Sequence, residues 1–451
     1  MLALLLALLA QPAPTKGLGL RDLQDRARKN DPRALQAAAQ VESARAKRDE
    51  TGWAFFPTFQ TNAFVGGPMP ERRLKGGDND PNPVDPTHLT PGTFGGWFHG
   101  ELGVVGHIQM ETSLPIFTFG KLTAGRKAVG HLVNASEAML QRARDQAAFD
   151  VARAYWGYQT ARNADVSVQK TRDRIKQAQD TAKKLLADKS EQITRSDAMK
   201  IDYVAEEVEA QHASALKNRD LAVTGLRLLV GAEPGEPLEI AQQDLPEPRQ
   251  APNADELLRR ALVQRPETRA ANEAVSGRQA LVELERAKLW PDFALIGGFH
   301  WTDTTNASNP VSPFAYNPYH EGTGFVALGM QITFDIPQKL ARVRQAEADL
   351  MEAMALQAGA QQLVKLELQQ ALGDLAEARI RVERYGRETQ LGKQLATQAA
   401  VAFDSGLGEA REMLENILLH TRADGERLKA LYDAQLAWAA LEKAVGAQLS
   451  P

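Results

Sequence analysis

The chain has 451 residues, enough for two or three compact domains, with 24% charged residues and a formal net charge of -4. It has no long run of one sign and no basic stripe, which excludes the electrostatic footprint of a nucleic-acid binder. Cysteine is absent, so disulfides, thiolate metal sites and a lipidated cysteine near the amino end are excluded too.

Residues 2–10 (LALLLALLA) are the only strongly apolar run, and they are too short to cross a bilayer as a helix. They predict the core of a secretory signal over residues 1–13, with Ala10 or Ala13 before the cleavage point. No Lys or Arg precedes the run, and the alternative is a buried helix start. No later segment has the composition of a transmembrane helix, so any entry into a membrane must be made by strands.

From residue 17 the chain is written twice, as repeats over residues 17–232 and 253–446, with a linker over 233–252 and a short tail over 447–451. Pro32 is followed 25 residues later by Pro57, and Pro266 is followed 25 residues later by Pro291. Residues 109–115 (QMETSLP) match residues 331–337 (QITFDIP), and the repeats end alike at Val230-Gly231 and Val445-Gly446.

Each repeat opens with a helix and then carries two stretches that alternate with period two. The first repeat has strands near 53–65 and 100–114; the second has them near 291–302 and 323–336. In the first, Trp53, Phe55, Phe59 and Val65 oppose Thr58, Gln60 and Asn62. Leu102, Val104, Ile108, Met110 and Leu114 oppose Glu101, His107, Gln109 and Glu111. In the second, Phe293, Leu295, Phe299 and Trp301 oppose Asp292, His300 and Thr302; Val326, Leu328, Met330, Ile332, Phe334 and Ile336 oppose Thr323, Gln331, Thr333 and Asp335. Such alternation means one apolar and one wet face, the pattern of a water-filled membrane barrel.

Four of the six tryptophans, Trp53, Trp97, Trp290 and Trp301, sit in or beside these strands, as membrane-interface aromatics do. The strands of each pair are joined by Gly-, Pro-, Asn- and Asp-rich segments over 66–99 and 303–322, like the outer loops of a barrel. A small soluble sheet is the competing reading. Four strands cannot close alone, because in lipid every backbone N–H and C=O must be paired. The sheet must be completed by further copies; three would give about twelve strands, and strand counting leaves two or four open.

After Pro115 and Pro337 the period becomes helical, with small or apolar residues stepping by three and four through Val129, Leu132, Leu140, Ala147 and Val151. The second repeat steps through Val343, Ala346, Leu350, Ala353 and Leu356. Steps sustained this long predict coiled-coil packing. A helix of 65 to 70 residues would reach about 100 Å. Each stretch breaks once, near 187–196 and near 403–409, so each predicts a long antiparallel hairpin. Between the proline and the tip the first repeat is longer by seven residues, one heptad, which keeps the packing register and sets Asp197 opposite Glu412. In the linker, Leu238-Glu239-Ile240 is a candidate brief strand, and Asn253 or Asp255 can cap the next helix.

Catalytic readings fare poorly. The eight histidines are scattered, with no H-E-x-x-H spacing, and His107 and His300 fall on wet strand faces where a structural role outweighs metal binding. Gly120-Lys121 lacks the upstream glycine and following Ser or Thr of a phosphate loop. No enzyme, cofactor or resident metal is expected.

Taken in order, Asn30-Asp31-Pro32 and Arg265-Pro266-Glu267, Phe56-Pro57-Thr58-Phe59 and Trp290-Pro291-Asp292-Phe293, Leu114-Pro115-Ile116-Phe117 with Gly120, Ile336-Pro337, and Phe403-Asp404-Ser405-Gly406 with Glu412 form a duplicated pattern. That pattern resembles the TolC-like outer-membrane efflux protein family over nearly the whole chain. The resemblance implies a homotrimer with one shared transmembrane β-barrel of about twelve strands, on a long antiparallel coiled-coil tunnel of helices in the periplasm. It implies an outer-membrane exit duct for efflux or type I secretion, working with a periplasmic adaptor and an inner-membrane pump of the RND or ABC type. The alternative is a periplasmic coiled-coil adaptor or scaffold without a pore. By the same resemblance Asp197, Glu412 and Glu415 form acidic rings at the periplasmic gate, and the turns holding Ser190, Ser196, Phe403 and Gly406 meet the adaptor. The chain departs from the family pattern at this tip, with Glu191 in the first turn where the second has Gly406.

Overall fold

The computed structural model describes residues 17–69, 103–188, 193–233, 235–305 and 319–449. The expected signal, Trp97, Ser190, Glu191 and most of the two turn-rich segments lie outside the described residues. In chain order the elements are α1 (Leu20–Asn30), α2 (Pro32–Trp53), β1 (Thr58–Met69), β2 (Gly103–Phe117), α3 (Lys121–Ala187) and α4 (Arg195–Leu229). The second repeat follows as α5 (Ala254–Gln264), α6 (Pro266–Ala287), β3 (Asp292–Thr304), β4 (Glu321–Gln331), α7 (Ile336–Asp404) and α8 (Ala410–Val445). The helices fall into matched pairs: α1 and α5 have 11 residues each, α2 and α6 have 22 each, and the hairpins have arms of 67 and 35 residues against 69 and 36.

The chain divides into two compact units, each drawing on both repeats. One, residues 45–131 and 276–352, contains the sheet. Its strands run antiparallel in the order β1-β2-β3-β4, so β1 and β4 are the edges. The expected strand boundaries shift in every strand: β2 runs on through Pro115, the expected end of the sheet, to Phe117, and the largest changes are at the start of β1 and the end of β4. Trp53 closes α2 rather than opening a strand, and the chain turns through Phe56 N–H to Trp53 C=O (2.9 Å) before Pro57. β4 stops at Gln331, and Ile336 already belongs to α7, because Pro337 suits the first turn of a helix and has no N–H for a ladder. Pro115, its counterpart, lies inside β2 opposite Ala294 at an irregularity in the pairing, the setting in which a sheet tolerates proline.

The other unit, residues up to 44, 132–275 and from 353 on, is helical. Three apolar clusters hold it together. One surrounds Leu23, Val151, Tyr155 and Leu226; one lies toward the hairpin turns around Ile175, Ile201, Phe403 and Met413; one joins Leu257 to Leu375, Trp438 and Leu441. The linker is tied down by the fully buried Gln159, whose amide donates to Ala241 C=O (2.6 Å) and accepts from Gln243 N–H (3.1 Å). In place of the brief strand expected there, Ile240 makes one isolated parallel bridge to Leu18. Asn253 is the residue that caps α5, accepting from Asp255 N–H (2.8 Å).

The paired Val-Gly endings now have a physical reason. Val230 and Val445 are fully buried, and each following glycine is left-handed, with φ of 63° at Gly231 and 75° at Gly446. Both close their helices with the same bond pattern: Ala232 N–H to Arg227 C=O and Gly231 N–H to Leu228 C=O, then Ala447 N–H to Glu442 C=O and Gly446 N–H to Lys443 C=O. Each glycine also rests on the start of its own repeat. A Cβ at Gly231 would lie 3.0 Å from Asn30 Cβ, and one at Gly446 would lie 3.1 Å from Arg265 Cα.

Those starts carry ion pairs of opposite polarity. Asp31, buried before Pro32, accepts from the Arg33 guanidinium (2.8 Å) and caps α2 through Arg33 N–H (2.8 Å); Arg33 also reaches Asp150 (2.7 Å). Arg265, buried before Pro266, pairs with Glu267 (3.3 Å) and Glu367 (2.5 Å). The hydrogen bonds from Arg33 hold the Asp31 carboxyl below its usual range. A depressed carboxylate contributes stability that is present above its unfolded value, about pH 3.9, and is lost as pH falls through the folded one. Asp31→Asn is therefore expected to cost about 1 kcal/mol at pH 7 and to flatten the loss of stability between pH 5 and pH 2.5. Urea midpoints of the two proteins across that range check it, and parallel curves would refute it.

Candidate functional site

The sheet is sorted by face. Phe59 and Val65 of β1, Met110 of β2, Leu295, Phe299 and Trp301 of β3, and Val326, Leu328 and Met330 of β4 share one side by register and are exposed in the single chain. Met110 stands opposite Phe299, and Leu295 opposite Leu328. Strands of 11 to 15 residues match the roughly 9–11 needed to cross a bilayer with some to spare. Aromatic rings gather at one end, where Trp53 packs on Phe56 (4.7 Å between centroids) and Trp290 stacks on Phe119 (5.3 Å). Trp301 sits toward the other end of β3.

The opposite face carries the sheet's polar side chains, interspersed with Phe64, Ile296 and Phe325. Gln109 donates to Glu111 (2.7 Å), His107 Nδ1 bonds Thr302 Oγ1 (2.8 Å), and His300 Nε2 lies 3.3 Å from Glu321 Oε1. These contacts satisfy the histidines individually, and among the described residues no group of three or more His, Asp or Glu could hold a metal. No helix of the described residues is long and apolar enough to cross a membrane.

The two hairpin turns end in one shared cluster, which brings the predicted gate acids to the same end of the helical unit. Asp197 does not stand free there. Its carboxylate accepts from Thr194 Oγ1 (2.6 Å) and Lys200 Nζ (3.2 Å), while Thr194 Oγ1 accepts from Asp197 N–H (3.2 Å). This reciprocal cap starts α4 and holds the Asp197 carboxyl below its usual range, chiefly through Thr194. Glu415 pairs with Arg411 (2.7 Å) on the exposed face of α8, and Glu412, in the first turn of α8, is exposed with no partner among the described residues.

Of the predicted contact residues, Ser196 is exposed in the first turn of α4. Phe403 is only 2% exposed and packs inside the tip cluster, so its ring anchors the turn rather than presenting a surface. Gly406, left-handed at φ 76°, ends α7 with the bonds seen at Gly231 and Gly446: Leu407 N–H to Ala402 C=O (2.9 Å) and Gly406 N–H to Phe403 C=O (3.0 Å). Gly408 passes so close to Ala402 that a Cβ would meet its Cβ at 2.8 Å. Between the two glycines, Leu407 is thrust outward and 88% exposed, a residue the sequence reading passed over. An isolated leucine in Ser-Gly-Leu-Gly was its signal.

A family model described as outer membrane efflux protein matches residues 23–232 and 257–447. No curated protein matches the sequence. Among solved structures the chain is similar to the channel-forming CusC, at 18% identity and a TM-score of 0.76, over 98% of this chain and 96% of that one. It is also similar to the MtrE outer membrane channel of Neisseria gonorrhoeae in its open state (18%, TM-score 0.74, 95% and 89%). The outer membrane protein VceC of Vibrio cholerae is a third (17%, TM-score 0.73, 95% and 96%). At these identities the likeness is one of fold.

Proposed function

This chain belongs to the outer membrane efflux protein family, and on that premise we propose that three copies pool their strands into one barrel of about twelve. The duct it provides lies in the outer membrane and carries efflux cargo passively. The observation that supports pooling is the sheet itself: among the described residues it has four strands, edges at β1 and β4 with no further strand beside them, and one apolar face, which lipid tolerates only when the edges are closed. A scaffold without a pore has no use for such a face. In our reading an inner-membrane pump supplies the driving force, and a periplasmic adaptor meets the tip and favours its open arrangement.

At the tip we assign Glu412 as the acid most available to form a ring around the lumen, since Asp197 is engaged as a cap and Glu415 by Arg411. Ser196, Gly406 and Leu407 belong to the surface offered to the adaptor. In planar bilayers the purified protein is expected to give discrete openings, and Glu412→Gln to lower the preference for cations over anions. Unchanged selectivity removes Glu412 from the gate.

The absence of cysteine makes the assembly directly testable. β1 and β4 lie three strand spacings apart in one chain, about 14 Å, beyond the reach of a disulfide. Any bond between Asn62→Cys and a cysteine scanned along residues 323–329 must therefore join two chains. Oxidation is expected to build a ladder ending at three copies. A ladder that ends elsewhere rejects the trimer.

A further inference from the structure

Helices α3, α7 and α8 enclose an open cavity of about 870 Å³, within the size range of small-molecule sites. Its charges are unbalanced. Arg162, Lys170 and Arg174 of α3, Lys393 of α7 and Arg427 of α8 line it, against Asp244 and Asp424. The Asp424 carboxylate is already engaged by the Ser167 hydroxyl, and neither Lys170 nor Lys393 pairs with a carboxylate among the described residues.

Three buried polar atoms of lining residues have no partner among the described residues: Thr389 Oγ1, His420 Nδ1 and Arg427 Nε. Each can donate a hydrogen bond once its side chain turns toward the cavity, and a buried donor left unmatched is costly, which favours that turn when an acceptor arrives. Arg427 is otherwise held by Glu247 (3.2 Å), which leaves its Nε free. Ile417, Leu428 and Leu431 add apolar wall beside these donors.

We infer that this cavity binds a small organic anion, a phosphate or carboxylate head on an apolar body. Lys170 and Lys393 supply the charge, Thr389, His420 and Arg427 Nε orient the head, and the leucine and isoleucine walls take the body. The inference stands apart from conduction. A bound anion would bridge α3 of the first repeat to α7 and α8 of the second, adding a ligand-dependent tie between the two hairpins.

The test uses the full-length protein in uncharged detergent, titrated calorimetrically with phenyl phosphate, inorganic phosphate and phenol. Phenyl phosphate is expected to saturate one site per chain, to bind about tenfold or more tightly than inorganic phosphate, and to raise the thermal midpoint. Lys170 and Lys393 are exposed, so K170Q/K393Q keeps the fold and is expected to weaken binding at least about tenfold. T389V, which removes one orphaned donor without changing charge, is expected to weaken it severalfold. Equal binding of inorganic and phenyl phosphate overturns the inference, as does saturation by phenol, or no saturable site because a neighbouring chain fills the cavity. So does affinity untouched by K170Q/K393Q. Bilayer conductance of the same preparations reports on the duct separately.

Discussion

Leu328→Arg is expected to abolish recovery of the protein from the outer-membrane fraction, while Gln109→Arg is expected to leave insertion intact. The two positions lie on opposite faces of one sheet, and Leu328 is 69% exposed on the apolar one. Arginine on the lipid face of a barrel costs about 2–4 kcal/mol near the bilayer middle. Leu328 lies three residues from the end of β4, so each copy should suffer toward the lower end, and three copies in the proposed assembly roughly 6 kcal/mol or less, still comparable with the whole stability of many folded proteins. Gln109 looks toward the wet side, where it bonds Glu111, so arginine there meets water and a carboxylate. That variant should insert normally and shift conductance toward anions. Membrane fractionation followed by bilayer recording checks both halves, and equal insertion of the two variants would falsify the assignment of faces.

Gly446→Ala is expected to destabilise the helical unit by about 3 kcal/mol. A non-glycine residue at left-handed φ costs about 1–2 kcal/mol by itself. The remainder comes from the neighbours: the new Cβ would stand 3.1 Å from Arg265 Cα and 3.2 Å from its N, backbone atoms that cannot rotate away. Moving Arg265 also strains its pairs with Glu267 and Glu367, which it makes from a buried position. Gly231→Ala meets one atom this close, Asn30 Cβ at 3.0 Å, against three backbone atoms at Gly446, and should cost less. Gly373→Ala, inside α7 with nothing within 4 Å, should instead stabilise by about 0.5–1 kcal/mol. Denaturant midpoints followed by helical circular dichroism separate the three, and a Gly446 variant no weaker than the Gly373 one would show that this contact carries no load.

Much of this architecture is written plainly in the chain because periodicity records faces. Alternation through residues 103–114 and 292–302 placed Met110 and Phe299 on one side of the sheet, where they stand opposite each other. The absence of proline from residues 117–232 and 338–450, with one break inside each, marked both pairs of arms. Strand ends were harder to read, since apolar parity persists through Phe334 and Ile336 after pairing has stopped at Gln331. Proline position settled those ends, and it acts differently at Pro115 and Pro337 because only one of them lies against a neighbouring strand.

Individual roles at the tip were least legible. Asp197, expected as a lumen acid, also shares a cap with Thr194, three residues earlier, which the sequence reading did not pick out. Phe403 marks the turn in sequence, yet its ring points into the cluster beneath. The cationic cavity left no local trace, because its walls come from positions some 250 residues apart in the chain, as the Thr171–Thr421 bond across it shows.

The opposite polarity of the two proline junctions bears on how the gene arose. Glu267 is held not only by Arg265 but by Arg142 of the first half (3.1 Å). Fusing the first half to itself would put the counterpart of Arg33 where Glu267 stands, setting arginine against arginine. Divergence between the halves has therefore made this junction complementary rather than interchangeable: the second half's Glu267 fits the first half's Arg142, and a copy of the first half in its place would not.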